Sequence, residues 1–221
     1  MLDQKYRSLL CDIYTLGDDV VTRGELRREL LGCRFSLDDI SDNIIRLPGF
    51  ETRIDFAKAE LEWYYSGDPR ISHSPLIEKV WKKYSDDGET ASNYGARIFG
   101  KHRLIGADQW SAAKEALRGD AGSTRAVLNI HSYFDPKSHE KKDVPCTLAL
   151  QLFQREGKLD MVAYMRSNDA VLGFRNDLYC FTEMQKRMAA ELGMAAGRYV
   201  HFAGSMHIYE RHFGKVEALL P

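Results

Sequence analysis

The chain has 221 residues, 44% hydrophobic and 29% charged, with 31 Lys and Arg against 32 Asp and Glu. The resulting formal net charge of -1 excludes the broad basic field of a nucleic-acid-coating protein and the acidic tail that engages a basic partner. The length suits one good-sized core, and no apolar run approaches the roughly 18 residues of a membrane span. The four cysteines, at 11, 33, 146 and 180, are scattered and form no CxxC pair, so no metal site is expected.

The opening stretch MLDQKYRSLLCDIY mixes acids with apolar residues and lacks the apolar centre of a signal peptide. Reduced thiols in a cytoplasm are the expectation. Leu2 to about Leu16 reads as a helix, with Leu9, Leu10, Ile13 and Tyr14 near one face. Val20 to Phe35, rich in Arg and Glu, reads as either a hairpin or a mobile segment. Ile54 to Tyr65 and Gln109 to Leu117 read as helices. Arg125 to Tyr133, Thr147 to Gln154 and Lys158 to Arg166 read as strands. In the last, Leu159, Met161, Ala163 and Met165 alternate with Asp160, Val162, Tyr164 and Arg166, a period of two. The turn REGK between the last two strands, bent at Gly157, predicts an antiparallel hairpin. Val171 to Leu192 is apolar at helical spacing and stops at Gly193. Arg198 to Ala203 reads as one more strand. With no internal repeat, low-complexity tract or Pro/Gly linker, a single α+β domain over residues 1–221 is expected.

Several groups are candidates for chemistry. YMRSNDAVLGFRND (164–177) sets Arg166, Asp169, Arg175 and Asp177 around a short apolar step where a strand pattern meets a helix pattern. Cys146 follows Pro145 and opens an apolar strand. It reads either as a small buried hydrophobe or as a nucleophile at a strand end, which needs nearby positive charge. The hairpin places Arg166 beside it. Glu60 lies at helical spacing between Phe56 and Trp63, so its acid either reaches water or is buried with a raised pKa fit for proton transfer. Tyr94 sits in SNYGARIFG, Arg125 at the start of a strand, and His207 and Tyr209 two apart on one face of GSMHIYERHF.

Taken in order, ELEWY (60–64), Trp81 of VWKKY, SNYG (92–95), Arg125 of GSTRAV, PC (145–146), MRSNDAVLGFRND (165–177) and GSMHIYERHF (204–213) resemble the thymidylate synthase family, most closely its deoxycytidylate (dCMP) hydroxymethylase branch from bacteriophages. The likeness covers most of the chain from about residue 54. It implies a thymidylate synthase-like fold, a mixed β-sheet packed with helices, and a homodimer formed through the sheet. It implies a pyrimidine nucleoside monophosphate as substrate and 5,10-methylenetetrahydrofolate as co-substrate, with no nucleic acid and no membrane partner. The compartment it implies is the cytoplasm, or a host cytoplasm if phage-encoded.

By the same resemblance Cys146 adds to carbon 6 of the base, Glu60 manages protons and Tyr94 supports proton abstraction. Arg166 and Ser167 hold the 5′-phosphate, His207 and Tyr209 the sugar hydroxyl. Trp81, Asp169, Leu172 and Gly173 face the folate. Asp177 takes the place of the asparagine with which thymidylate synthases read uracil, and a carboxylate there suits the amino group of cytosine. Arg125 reaches the other subunit's phosphate. Three departures stand out. Thr124 replaces the first of two adjacent arginines. Arg23, the nearest match to the N-terminal arginine that closes over the phosphate, is displaced by one. The C-terminus falls short of the family's by some tens of residues. That shortness implies either a methylene intermediate open to water, which favours hydroxymethylation, or a trimmed chain. The expectation is conversion of dCMP to 5-hydroxymethyl-dCMP. The alternatives are hydroxymethylation of CMP, 5-methylation of dCMP, and a degenerate relative that binds nucleotide or RNA without turnover.

Overall fold

The computed structural model describes residues 1–90, 92–101, 106–132 and 143–220. Its framework is one mixed sheet in the order β1-β2-β7-β5-β4-β3, with a short β6 paired to β7. The strands are β1 (Asp18–Thr22), β2 (Glu25–Leu37), β3 (Val127–Asn129), β4 (Thr147–Arg155), β5 (Lys158–Met165), β6 (Asn168–Asp169) and β7 (Ala195–Tyr209). The helices are α1 (Leu2–Leu16), α2 (Ile54–Ser66), α3 (Pro75–Trp81), α4 (Tyr94–Phe99), α5 (Gln109–Gly119), α6 (Phe174–Glu191) and α7 (Phe213–Glu217). The architecture is α+β, as the alternation of patterns predicts.

The Arg- and Glu-rich segment after α1 is a hairpin, β1 pairing antiparallel with β2 and turning at Arg23 and Gly24. Both turn residues have positive φ, 53° and 79°, the backbone that a two-residue hairpin turn requires. The REGK turn likewise joins β4 and β5 antiparallel, from Arg155↔Lys158 to Thr147↔Met165. β7 then lies parallel to β5, reached through α6, as parallel strands need a long crossover. Leu159, Met161, Ala163 and Met165 of β5, with Tyr199 and His201 of β7, are buried with Leu178, Phe181, Met184 and Met188 of α6. A register shift between Leu159 and Met161 leaves ladder carbonyls open. Buried Gln185 answers two of them, its Nε2 donating to Leu159 O at 2.8 Å and Arg198 O at 3.0 Å.

Three boundaries differ from the sequence reading. The helix expected from Val171 begins at Phe174. Asp169 Oδ1 accepts from the backbone N–H groups of Val171 (2.8 Å) and Leu172 (2.9 Å), so a side-chain turn takes the place of the first helical turn. The strand expected over Arg198–Ala203 runs from Ala195 to Tyr209. Gly204 does not end it: a Cβ there would sit 2.9 Å from Arg166 O, and the bare glycine lets β7 pass beneath that residue. The strand expected over Arg125–Tyr133 is confined to Val127–Asn129, and its far end at Tyr133 lies outside the described residues. The sheet face turned away from α6 carries a stacked pair, Tyr164 and Phe202, with centroids 6.1 Å apart. Among the described residues, no helix is long and apolar enough to cross a membrane.

Candidate active site

The β4–β5 hairpin sets the first pair. Arg166 N donates to Cys146 O at 2.8 Å, and the guanidinium Nη2 lies 3.6 Å from Cys146 Sγ. Arg166 is anchored by its Nε on Pro145 O (3.0 Å) and its Nη2 on Val144 O (2.9 Å). Burial raises the Cys146 thiol, opposed mainly by the Arg166 charge; Asp177 and Asp143 push it up further and Arg23 draws it down. The tip of the β1–β2 hairpin is therefore near enough for the Arg23 charge to act on this thiol. Upstream, the Asp143 carboxylate accepts from Thr90 Oγ1, Ser92 N (2.6 Å) and Ser92 Oγ (2.7 Å). These bonds tie the approach to Cys146 to the segment that leads into α4.

Two acids meet behind the thiol. Glu60, at 3% exposure, is the buried alternative of the two readings of its stripe. Trp81 Nε1 donates to its Oε1 at 3.0 Å, and Asn176 Nδ2 donates to its Oε2. Burial first, and the neighbouring Asp177 charge second, push its pKa up to about 8. Asp177, in the first turn of α6, accepts from Asn168 Nδ2 at 2.7 Å, and burial raises it to about 7. Gly173 makes room for this pair: a Cβ there would lie 3.3 Å from Asn168 Nδ2 and 3.5 Å from Asp177 Oδ2. Tyr94 is buried, its ring stacked on Tyr64 at 5.2 Å. Burial, then the charges of Asp177 and Cys146, hold its hydroxyl well above the ordinary value. Asn93 caps α4 by accepting from Ala96 N at 2.8 Å. Gly95 is required because a Cβ would run into the Tyr64 carbonyl. The SNYG motif thus reads as cap, ring and close approach.

Beyond β5, Ser167 Oγ lies 3.4 Å from His207 Nδ1, and the His207 ring meets Tyr209 edge-on at 5.2 Å. Burial lowers the His207 pKa, opposed by Asp169. Trp81 is half-buried beside Glu60, and Leu172 is 52% exposed. The structure therefore brings Cys146, Arg166, Glu60, Asp177 and Tyr94 together, with Ser167, His207 and Tyr209 alongside and Arg23 at the rim. Arg125 stands apart. Ala126 O accepts from Leu152 N, which sets Arg125 level with the far half of β4, about 20 Å along the strand from Cys146. It lines a separate cavity with Arg97, Gln109 and His131. Sequence reading passed over Asn168 and Asn176. Their signal was present: two amides flanking acids in one motif, with Asn176 and Cys180 at helical spacing toward Glu60.

Chemically, the site holds a thiol beside a guanidinium, two carboxyls that keep protons near neutrality, and a cluster of hydroxyl and imidazole donors. Among the described residues, no group of three or more His, Cys, Asp or Glu side chains is arranged to hold a metal. The family model for thymidylate synthase matches residues 4–221. The deoxyuridylate hydroxymethyltransferase of Bacillus phage SP01 is 28% identical over 221 residues, covering 96% of this chain and 58% of that protein. The deoxycytidylate 5-hydroxymethyltransferase of Enterobacteria phage T4 is 31% identical over 175 residues, covering 74% of this chain and 70% of that protein. The chain thus spans little more than half the length of the first relative. The solved structure of thermostable thymidylate synthase A from Bacillus subtilis superposes with a TM-score of 0.82 at 21% identity, covering 99% of this chain and 84% of that one. That likeness speaks for the fold.

Proposed function

Because the chain belongs to the thymidylate synthase family, we propose that it transfers a one-carbon unit to carbon 5 of a cytidine nucleotide, dCMP, and releases the 5-hydroxymethyl product. The observation that carries the choice of base is Asp177. Asn168 occupies its Oδ2, leaving the other oxygen to accept from the amino group of cytosine. A uracil oxygen at the same place faces a second acceptor, at a cost of about 1–3 kcal/mol in a desolvated site.

In this reading Cys146 Sγ adds to carbon 6, with Arg166 favouring the thiolate. Addition makes carbon 5 nucleophilic. Glu60, held by Trp81 and Asn176, receives and returns protons near its raised pKa, and Tyr94 supports removal of the carbon 5 proton. Arg166, Ser167 and Arg23 bind the 5′-phosphate; His207 and Tyr209 bind the sugar. 5,10-Methylenetetrahydrofolate would supply the one-carbon unit. Exposed Leu172 and half-buried Trp81 offer it an apolar and aromatic surface. Asp169 keeps one carboxylate oxygen without a partner among the described residues. After loss of the folate an exocyclic methylene remains on the base; water adds to it and Cys146 departs. The chain acts as a homodimer in this reading, with Arg125 serving a neighbour's phosphate. Its distance from its own Cys146 and the sheet face that carries half-buried Tyr164 and exposed Phe202 support that arrangement.

A second reading, dUMP as substrate, is favoured by the same Asp177 in its neutral form. With a pKa of about 7 it keeps a proton that a uracil oxygen can accept. The two readings separate by substrate preference. kcat/KM is measured on dCMP, CMP and dUMP with the folate at pH 6 and pH 8, with product masses read out. dCMP should be preferred at both pH values, and Asp177→Asn should narrow its advantage over dUMP. A preference for dUMP at pH 8, or a ratio untouched by the substitution, removes Asp177 as the base reader. Methylated product removes the hydroxymethyl assignment.

A further inference from the structure

Each buried acid is gripped by an asparagine amide, Asn168 on Asp177 and Asn176 on Glu60. Both amides leave a carbonyl oxygen buried without a protein partner among the described residues, Asn168 Oδ1 and Asn176 Oδ1. A buried acceptor of this kind is costly unless a water or substrate group donates to it. The two differ in place. Asn168 lies on β6 under the base reader. Asn176 stands in the first turn of α6 across from α2, on the same carboxyl that Trp81 holds. That is the side the reading above gives to the one-carbon donor, and so the side on which the exocyclic methylene is left.

We propose that Asn176 is the positioning residue for the water that becomes the product hydroxyl. Its Oδ1 and the Glu60 carboxylate accept the two hydrogens of one water, which turns the lone pairs of the oxygen toward the methylene. The step balances without an oxidant or reductant. The water oxygen bonds to the methylene carbon as one O–H bond breaks and its proton passes to Glu60, which is in its ionised form at this stage of the cycle. The exocyclic double-bond pair moves into the ring between carbons 5 and 6, and the carbon 6–sulfur bond breaks to release the Cys146 thiolate. An apolar side chain at position 176 would leave such a water held by Glu60 alone. Protons leave carbon 5 before this step, so Asn176 separates the two halves of the reaction.

The inference rests on the proposed hydroxymethyl transfer, and one experiment distinguishes the failure of each. Enzyme in excess of nucleotide tritiated at carbon 5 is given the folate, and tritium release and 5-hydroxymethyl product are followed in one turnover. In the wild type the product should keep pace with tritium. In Asn176→Leu the lost hold on Glu60 should slow tritium release as well, but product should lag behind tritium by at least about tenfold, the scale of one lost positioned hydrogen bond. Intact-protein mass should show nucleotide plus one carbon held on Cys146, and an added small thiol should capture it as a thioether. Asn176→Met is read in the same way should leucine not fit. Product that keeps pace, or tritium and product that fall together, overturns the role of Asn176. A wild type that releases no tritium from any pyrimidine nucleotide overturns the proposed function instead.

Discussion

Substituting Asp177 with asparagine should stabilise the ligand-free protein, and the gain should grow with pH. The folded carboxyl titrates at about 7 because burial disfavours its charge, against an ordinary value of 3.8. A raised carboxyl pKa means that the fold keeps a proton which the unfolded chain gives up. Stability is thus lost as pH rises from the unfolded value to the folded one, and the loss is complete above the folded value. With these two values the carboxyl costs about 1.6 kcal/mol at pH 5 and about 4 kcal/mol at pH 8. The substituted amide would carry no such cost and can still accept the 2.7 Å bond from Asn168. Removing the charge also relieves Glu60, whose pKa Asp177 helps to raise, which acts in the same direction. Urea unfolding of both proteins at pH 5 and pH 8 gives a difference of differences in which every titration not coupled to Asp177 cancels. The Asp177→Asn variant should gain about 2–3 kcal/mol more at pH 8 than at pH 5. An equal gain at the two pH values, or a larger one at pH 5, would refute the burial argument.

Three further outcomes test the thiol, the dimer and the packing. Cys146→Ser should lose turnover yet retain nucleotide binding, because a hydroxyl is a far poorer nucleophile than a thiolate; mixing it with an inactive Arg125→Glu variant should restore about a quarter of wild-type activity if subunits exchange and Arg125 acts across a two-fold interface, and no recovery in demonstrated heterodimers would place Arg125 outside the partner's site. Gly95→Ala should destabilise the protein by about 3 kcal/mol or more, since the methyl meets the rigid Tyr64 backbone, and a loss below about 0.5 kcal/mol in urea unfolding would contradict that packing.

Local patterns carried much of this structure. The two-residue alternation of β5 and the glycine turn at 157 were enough to put Arg166 beside Cys146, 20 residues apart in sequence, and the contact is there at 3.6 Å. The helical stripe around Glu60 left open whether the acid reaches water, because a period says which face a residue takes and not what covers it. Trp81, from α3, and Asn176, from α6, close over that acid, and neither contact is encoded within α2. The start of α6 was misjudged for a similar reason. Val171 and Leu172 fit a helical stripe, yet Asp169 holds their N–H groups in a side-chain turn, and local competition of that kind leaves no trace in hydrophobic spacing. The strand pattern over Arg198–Ala203 stops before a glycine, which ordinarily weakens a strand. Here Gly204 serves the close passage of Arg166, a tertiary fact.

The titration order of the site gives the proposed chemistry a direction. Near neutrality Glu60 holds its proton, Asp177 is about half protonated, and burial keeps the Cys146 thiol above its ordinary value. The ligand-free site is therefore poor in thiolate, and Arg166 divides its guanidinium between the sulfur and two carbonyls. A 5′-phosphate drawn to Arg166 would compete further for that charge, so the phosphate alone cannot activate the sulfur. The remaining driving force is the base. A cytosine ring whose N3 takes up the Asp177 proton becomes electron-poor at carbon 6, and that favours addition of the small thiolate fraction present. The raised pKa of Asp177, which costs stability in the empty protein, is then what allows the acid to deliver a proton to the ring at neutral pH. On this argument base recognition and activation of carbon 6 are one event, and they depend on the same buried carboxyl.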